Sequence, residues 1–480
     1  MSQSLKKKTI IGLIWNSVEN FASQGIAFAI GILIARMLSP ESYGVVAMAT
    51  VVFAIANVFV DAGFSTALIR KPDRTESDYC TVFYCNSIIG FVASFILFFS
   101  APWIAAFYEL PELSNIVRVM CWGIFLGSLG AVQITRLTIN LDFKTQMKIT
   151  VITTIASGLL GLFGAYAGWD VWALVAQMLC ATLLRSILAW TMVRWIPRKG
   201  FSKQSFKSMF AFGSRLLASS LLNTINANLV TMLVGKTFSA ATLGNYSRAR
   251  HFGQFPSVNV SNILQKVTFP VLSSIQNDDT RLESAYRRLL KVSAFVIFPM
   301  MAGLSALAEP LILALLSDKW AEAIPLLQIM CFSLMFYPVH ALNLNLLQVK
   351  GRSDLFLRLE IVKKILGLAF LFAALPMGII ILCYSRILLT VICWGINSYY
   401  TAKLIKIGFF KQILDLTPII LCSLVMWGST LFIIAFFDNN WMKLGVGCLS
   451  GALIYIALAV ILRLDSIPNI IDLCRSKKAH

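Results

Sequence analysis

Arg215, Lys266, Arg185 and Arg386 each stand inside a stretch of apolar residues long enough to cross a lipid bilayer. An ionised side chain at that depth costs at least roughly 2.5–3.5 kcal/mol, so each is expected to face water, a partner or a substrate rather than lipid. Around these cations lie neutral polar groups. In the first apolar run Asn16, Asn20, Ser23 and Gln24 fall within about 100° of arc at 100° per residue, with Glu19 at the margin, and so share one helix face. Arg215, Ser219, Asn223 and Asn226 do the same two hundred positions later, and the following runs carry Asn57 and Asp61 in one case and Asn259, Asn262, Gln265 and Lys266 in the other. A hydrated cavity would satisfy all of them together, with cations to hold an anion and amides and hydroxyls to hold a polar ligand. Each has a second reading. Asn and Ser also join membrane helices to one another, Arg185 and Arg386 lie near enough to the ends of their runs to snorkel, and Glu19 and Asp61 read either as an ion-coupling pair for H+ or Na+ or as counter-charges to nearby cations.

The elements that position these groups follow from composition. Of 480 residues 58% are hydrophobic and only 13% charged, and the mean hydropathy is +0.78, which a soluble core of ordinary size cannot absorb. The chain reads as an all-α polytopic membrane protein. Runs of roughly 20 residues or more can be drawn at 10–36, 43–68, 80–105, 115–138, 149–168, 171–193, 209–235, 252–275, 290–316, 324–348, 359–379, 380–401, 416–437 and 442–462. That gives fourteen crossings. The run at 252–275, with several Asn and a Lys, and the closely spaced pair around Pro376 are the segments whose removal would leave twelve or thirteen.

Charge placement tests this map. With a cytoplasmic N-terminus, thirty of the 41 basic residues, from Lys6–Lys8 through Arg70, Lys71, Arg194, Lys199, Lys203 and Arg352 to Lys478, fall in every second connection or at the chain ends. The bias obeys the positive-inside rule and puts both termini in the cytoplasm. It also gives the net charge of +19 a membrane origin, and no basic soluble module suggests nucleic acid. The ten Cys are scattered with no C-x-x-C, and only three His are present, so neither disulfides nor a metal site are expected. The first apolar run is too long for a signal-peptide core. The outward connections, such as 37–42 and 438–441, are too short to form a catalytic domain.

The chain is built twice. Residues 33–44 read LIARMLSPESYG and residues 233–244 read LVGKTFSAATLG, so Leu33, Arg36, Ser39 and Gly44 recur as Leu233, Lys236, Ser239 and Gly244. VRVMCW at 117–122 is echoed by LQIMCF at 327–332. Repeats in an apolar chain point to a transporter whose site lies where the halves meet. The expected division is a six-helix lobe over 1–200, a second over 201–405 related to it by a pseudo-two-fold axis, and a helix pair with a tail over 406–480.

Gly12–Asn16 as G-x-x-W-N, 33–44, and DAGFSTALI at 61–69 resemble the polysaccharide transporter branch of the multidrug/oligosaccharidyl-lipid/polysaccharide exporter superfamily, and within it the Wzx-type flippases that serve colanic-acid-like polysaccharides. The resemblance spans essentially the whole chain. It implies a MATE-like, alternating-access carrier in the bacterial cytoplasmic (inner) membrane. Such a carrier is not an enzyme, uses no cofactor, and moves an undecaprenyl-pyrophosphate-linked oligosaccharide from the cytoplasmic to the periplasmic leaflet. A pyrophosphate needs cations in a low-dielectric cavity, for which Arg215 and Lys266 are the first candidates, with Arg185 and Arg386 beside them. Sugar hydroxyls would meet Asn16, Asn20, Gln24, Asn223, Asn226 and Asn262. Partners implied are the lipid-linked oligosaccharide, membrane lipids, and a polymerase with other glycan-assembly proteins. A multidrug antiporter of the same superfamily would want an acidic cavity, and a membrane-embedded glycan polymerase would want a large outer loop.

Overall fold

A computed structural model describes residues 23–61 and 63–464, apart from the side chains of Asp61, Ile263, Lys266 and Val267. Asn16, Glu19 and Asn20 lie outside the described residues. Those described form seventeen α-helices and no strand: α1 Ser23–Met37, α2 Pro40–Asp61, α3 Phe64–Arg70, α4 Glu76–Tyr108, α5 Glu112–Ile139, α6 Phe143–Tyr166, α7 Val171–Val193, α8 Lys203–Thr237, α9 Ala240–Ser274, α10 Asp279–Ala306, α11 Ala308–Leu315, α12 Ala323–Leu334, α13 Tyr337–Val349, α14 Ser353–Ala374, α15 Ile379–Ile405, α16 Phe409–Ile434 and α17 Asn440–Ile461.

Eleven helical stretches, counting α12–α13 as one, are long and apolar enough to cross a membrane. Helix α1 is shorter, while α9, with Arg248, Arg250 and Lys266, and α14, with Arg358, Glu360, Lys363 and Lys364, are less apolar. These add up to the fourteen expected segments, with changed limits. The run at 43–68 is divided at Gly63 into α2 and α3. The run at 324–348 is broken between Leu334 and Tyr337, with Pro338 opening α13, as a proline with no N–H to donate favours a first turn over a helix interior. Helix α9 begins at Ala240, twelve residues before the expected 252, because its first three turns carry Asn245, Ser247, Arg248 and Arg250 and lack apolar character.

Contacts divide the chain into two compact units, one ending at Gly244 and the next starting at Asn245. In the first, α4, α5, α6 and α7 pack in succession and α2 lies on α5 and α8. In the second, α10 lies on α16, α16 on α17, and α12 on α15.

The twin motif has a structural meaning. Ser39 and Ser239 stand just before α2 and α9 and accept the N–H groups of Ser42 and Thr242 at 3.3 and 3.2 Å, which caps orphan donors at each helix start. The paired hydroxyls then lie 2.9 and 3.0 Å apart. One turn on, a Cβ on Gly44 would overlap the Ala240 carbonyl oxygen, and a Cβ on Gly244 would overlap the Pro40 carbonyl oxygen. The two helix starts therefore cross backbone to backbone and reciprocally. This is the small-residue contact that membrane helices use where burial of apolar surface drives nothing.

Polar side chains in each unit are tied off. In the first, Lys71 Nζ donates to both Asp78 oxygens at 2.8 Å, while Thr75 and Asp78 form a capping box at the start of α4. In the last turn of α8 the Lys236 ammonium, 2.7 Å from Oε1 of Glu109 just past the end of α4, holds the Glu109 carboxyl below its usual range. In the second, Arg287 forks onto Asp415 at 2.7 and 2.6 Å, and buried Gln412 joins Trp394 Nε1 (2.8 Å) to Asn343 (3.1 Å), which accepts from Thr401 at 2.6 Å.

Gly44→Ala and Gly244→Ala should each lower the thermal midpoint of the detergent-solubilised protein, because overpacking costs about 1–3 kcal/mol and a backbone carbonyl cannot step aside. Gly395→Ala and Gly428→Ala, where an added methyl meets nothing within 4 Å, should be neutral or stabilise by up to about 1 kcal/mol. Equal behaviour of all four would remove the tight crossing.

Candidate functional site

Each unit encloses a polar cavity. The first, about 620 Å³, is walled by α2, α3, α5, α6 and α7. Gly123, Gly127 and Gly130 occupy one face of α5. A Cβ on Gly123 or Gly127 would stand 3.3 Å from Leu179 or Thr182, and one on Gly130 would press on Ser186, so their absence of side chain lets α7 approach. Ser186 Oγ then donates to the Leu126 carbonyl at 2.5 Å and Trp190 Nε1 to that of Leu129 at 2.9 Å, and the remaining space is the cavity.

Its lining chemistry is specific. Thr135, Thr150, Thr154 and Thr182 hydroxyls donate to carbonyls one turn back at 2.8, 3.0, 2.8 and 3.1 Å, which turns their oxygen lone pairs outward as acceptors. Asn57 and Ser65 add polar groups, and Ser65 Oγ takes the Asn86 amide at 3.1 Å. Among the described lining residues Arg185 is the single charge, and no described carboxylate pairs with it. A second space of about 390 Å³ adjoins it through Thr153, Thr154, Met178 and Ala181 and adds Gln177 and Ser157.

The cavity of the second unit measures about 200 Å³ and lies among α9, α12, α13 and α15. Arg250 and Gln254 enter from α9, Arg386 from α15, and His340 from α13, with its Nδ1 3.1 Å from Asn397 Nδ2. Again no described lining residue is acidic. The two cavities echo each other: Met120 and Met330, the shared methionines of the short repeat, line one each, and α7 and α15 each contribute one arginine.

Of the residues singled out from sequence, Arg185 and Asn57 share the first cavity and Arg386 lines the second. Gln24 on α1, Arg215 and Asn223 on α8 and Asn262 on α9 are exposed, Asn226 is half-buried, and none of them lines either cavity. The side chains of Asp61 and Lys266 lie outside the described set. Arg250, Gln254 and His340 escaped the sequence reading, which placed Arg248 and Arg250 in a connection ahead of residue 252. A stricter look at 240–252 as helix would have put Arg250 on the face of Tyr246 and Gln254, at four-residue spacing.

Residues 33–325 match the family described as polysaccharide biosynthesis protein. The chain belongs to that family. Members resembling it include the teichuronic acid biosynthesis protein TuaB of Bacillus subtilis, 27% identical with 95% of this chain and 96% of that one covered, and the succinoglycan biosynthesis transport protein ExoT of Rhizobium meliloti, 24% identical over 100% and 98%. Among solved structures, the lipid II flippase MurJ in an inward closed conformation superposes with a TM-score of 0.76 at 18% identity, covering 95% of this chain and all of that one, which establishes a shared fold. This member of the polysaccharide biosynthesis protein family is thus a multipass membrane protein.

In a cysteine-free background, cysteine at Asn57 or Thr182 should react with a small water-soluble thiol reagent, whereas cysteine at Leu159, exposed on α6 away from the cavity, should stay unreactive in the bilayer. Protection of the first two would mean a dry cavity.

Proposed function

We propose that this protein carries an undecaprenyl-pyrophosphate-linked oligosaccharide from the cytoplasmic to the periplasmic leaflet by alternating access, for export of a surface polysaccharide. The observation that carries this reading is the lining of the two cavities: arginine with hydroxyls and amides, and no described acid. Guanidinium groups in a medium of low dielectric bind phosphate oxygens strongly and in bidentate fashion. Acceptor-rich threonine walls suit sugar hydroxyls, which arrive as donors. A cationic drug would meet repulsion there. The relatives TuaB and ExoT, named for biosynthesis of one polysaccharide and for transport in biosynthesis of another, support the same class of substrate. Two six-helix lobes, 1–200 and 201–405, rocking against each other would give the alternation, and the basic connections support a cytoplasmic side for both termini.

Arg185→Ala and Arg386→Ala should each cut glycan export severely in a strain lacking the protein, with membrane abundance unchanged. Arg386→Lys should keep part of the activity, since the charge remains and the fork is lost. Lys203, at the start of α8, should tolerate alanine. Arg215→Ala, on the exposed face of α8, belongs in the same series as the remaining intramembrane arginine named from sequence. Wild-type export from the Arg185→Ala, Arg386→Ala double variant would dispose of the anion site, and resistance to cationic drugs conferred by the wild-type protein would move the assignment to drug efflux.

A further inference from the structure

Beside the polar cavities, and separate from them, the first unit carries a second large space of opposite chemistry. It is an open slot of about 640 Å³ between α2 and α4, closed at one end by Met232 of α8. Its wall on α4 repeats at helical spacing, Ile88, Val92, Ile96, Trp103 and Phe107, and α2 faces it with residues such as Val52 and Phe59. Ile88, Ile96 and Trp103 are among the most exposed apolar side chains of the protein, at 61, 57 and 74%. The one serine on the wall, Ser100, is satisfied within its own helix, its Oγ donating to the Ile96 carbonyl at 2.6 Å. Besides Ser100, only the indole N–H of Trp103 and the hydroxyl of Tyr108 bring polar atoms to the described wall.

Its length decides what fits. From Ile88 to Phe107 the α4 wall runs nineteen residues, about 29 Å at 1.5 Å each. The hydrocarbon core of a bilayer is about 30 Å thick, so the acyl chain of a phospholipid, confined to its own leaflet, would fill roughly half of the slot. Filling it from end to end takes a chain long enough to pass from one leaflet into the other. We propose that the slot between α2 and α4 is the seat of the polyprenyl chain of the lipid carrier, holding it alongside the protein while the headgroup crosses. This rests on the reading of the protein as a carrier of a lipid-linked glycan. A branched, unsaturated chain suits a wall of β-branched and aromatic side chains, whose ridges take up methyl branches by contact. Confinement to the slot would spare the tail from being dragged through the polar cavities, where an apolar chain would displace water from hydroxyls and guanidinium groups.

The test uses the full-length protein in nanodiscs of phosphatidylethanolamine and phosphatidylglycerol, with a polyprenyl monophosphate that bears a diazirine along its chain and no sugar. After illumination, mass spectrometry locates the adduct. The expected result is labelling of α4 between Ile88 and Phe107. An excess of unlabelled polyprenyl phosphate should suppress it, phosphatidylethanolamine should not, and labelling should fall at least about tenfold in Ala93→Trp, which fills the slot. Ile88→Trp blocks the same wall from an exposed position and makes no demand on core packing, so it serves where Ala93→Trp fails to accumulate. Specific labelling on other helices would overturn the slot and leave the carrier reading standing. Equal suppression by phosphatidylethanolamine would reduce the slot to a contact for bulk lipid and overturn the proposal. Absence of any specific labelling would count against the carrier reading and the slot together.

Discussion

At the starts of α2 and α9 two backbones touch, and no side chain fits between them. Gly44 lies against the carbonyl of Ala240, and Gly244 against that of Pro40. Within a bilayer apolar surface gains nothing from being hidden, so helices hold together by close packing and by hydrogen bonds. This crossing supplies the first in its tightest form. The serine caps beside it supply the second, since Ser39 and Ser239 satisfy N–H groups that have no partner inside their own helices. The line of α2 from this point sets where Asn57 reaches the first cavity.

A second constraint governs everything between the helix ends. Polar groups at membrane depth must be satisfied inside the protein or turned towards water. Most described here take the first route. Trp394, Gln412, Asn343 and Thr401 form a buried chain of hydrogen bonds, Arg287 is locked onto Asp415, and threonine hydroxyls return their protons to the preceding turn. Breaking such a chain leaves a donor or acceptor unpaired at a cost of about 1–3 kcal/mol. Arg185 and Arg386 take the second route, into the cavities. Structural polarity and functional polarity are thus distinguished by where the hydrogen bonds end, a difference that residue type alone does not carry.

That difference explains what could be read in advance. The helical architecture was plain, because runs of twenty apolar residues have few other uses. The repeat was visible because it needs glycine and serine at fixed positions. Arg185 and Arg386 stood out as charges in apolar surroundings. Arg250 did not, since the polar start of α9 resembles a connection, and hydropathy loses a helix whose inner face is hydrophilic. Asn223 and Asn262 share helix faces with other polar residues, as periodicity required, yet both are exposed and line neither cavity, because periodicity says which residues point together and leaves the direction to packing. The divisions at Gly63 and before Tyr337 depend on local backbone geometry, for which Gly63 and Pro338 were the signals present in the residues themselves.

The reciprocity of the glycine contact has a consequence for inheritance. Each copy of the repeated motif supplies the surface on which the other rests, so a side chain at either glycine is excluded for as long as the carbonyl of its counterpart stays close. Two codons two hundred positions apart are therefore under selection as a single locus. A substitution at either is read out at the same crossing, however far apart the two positions lie in the chain.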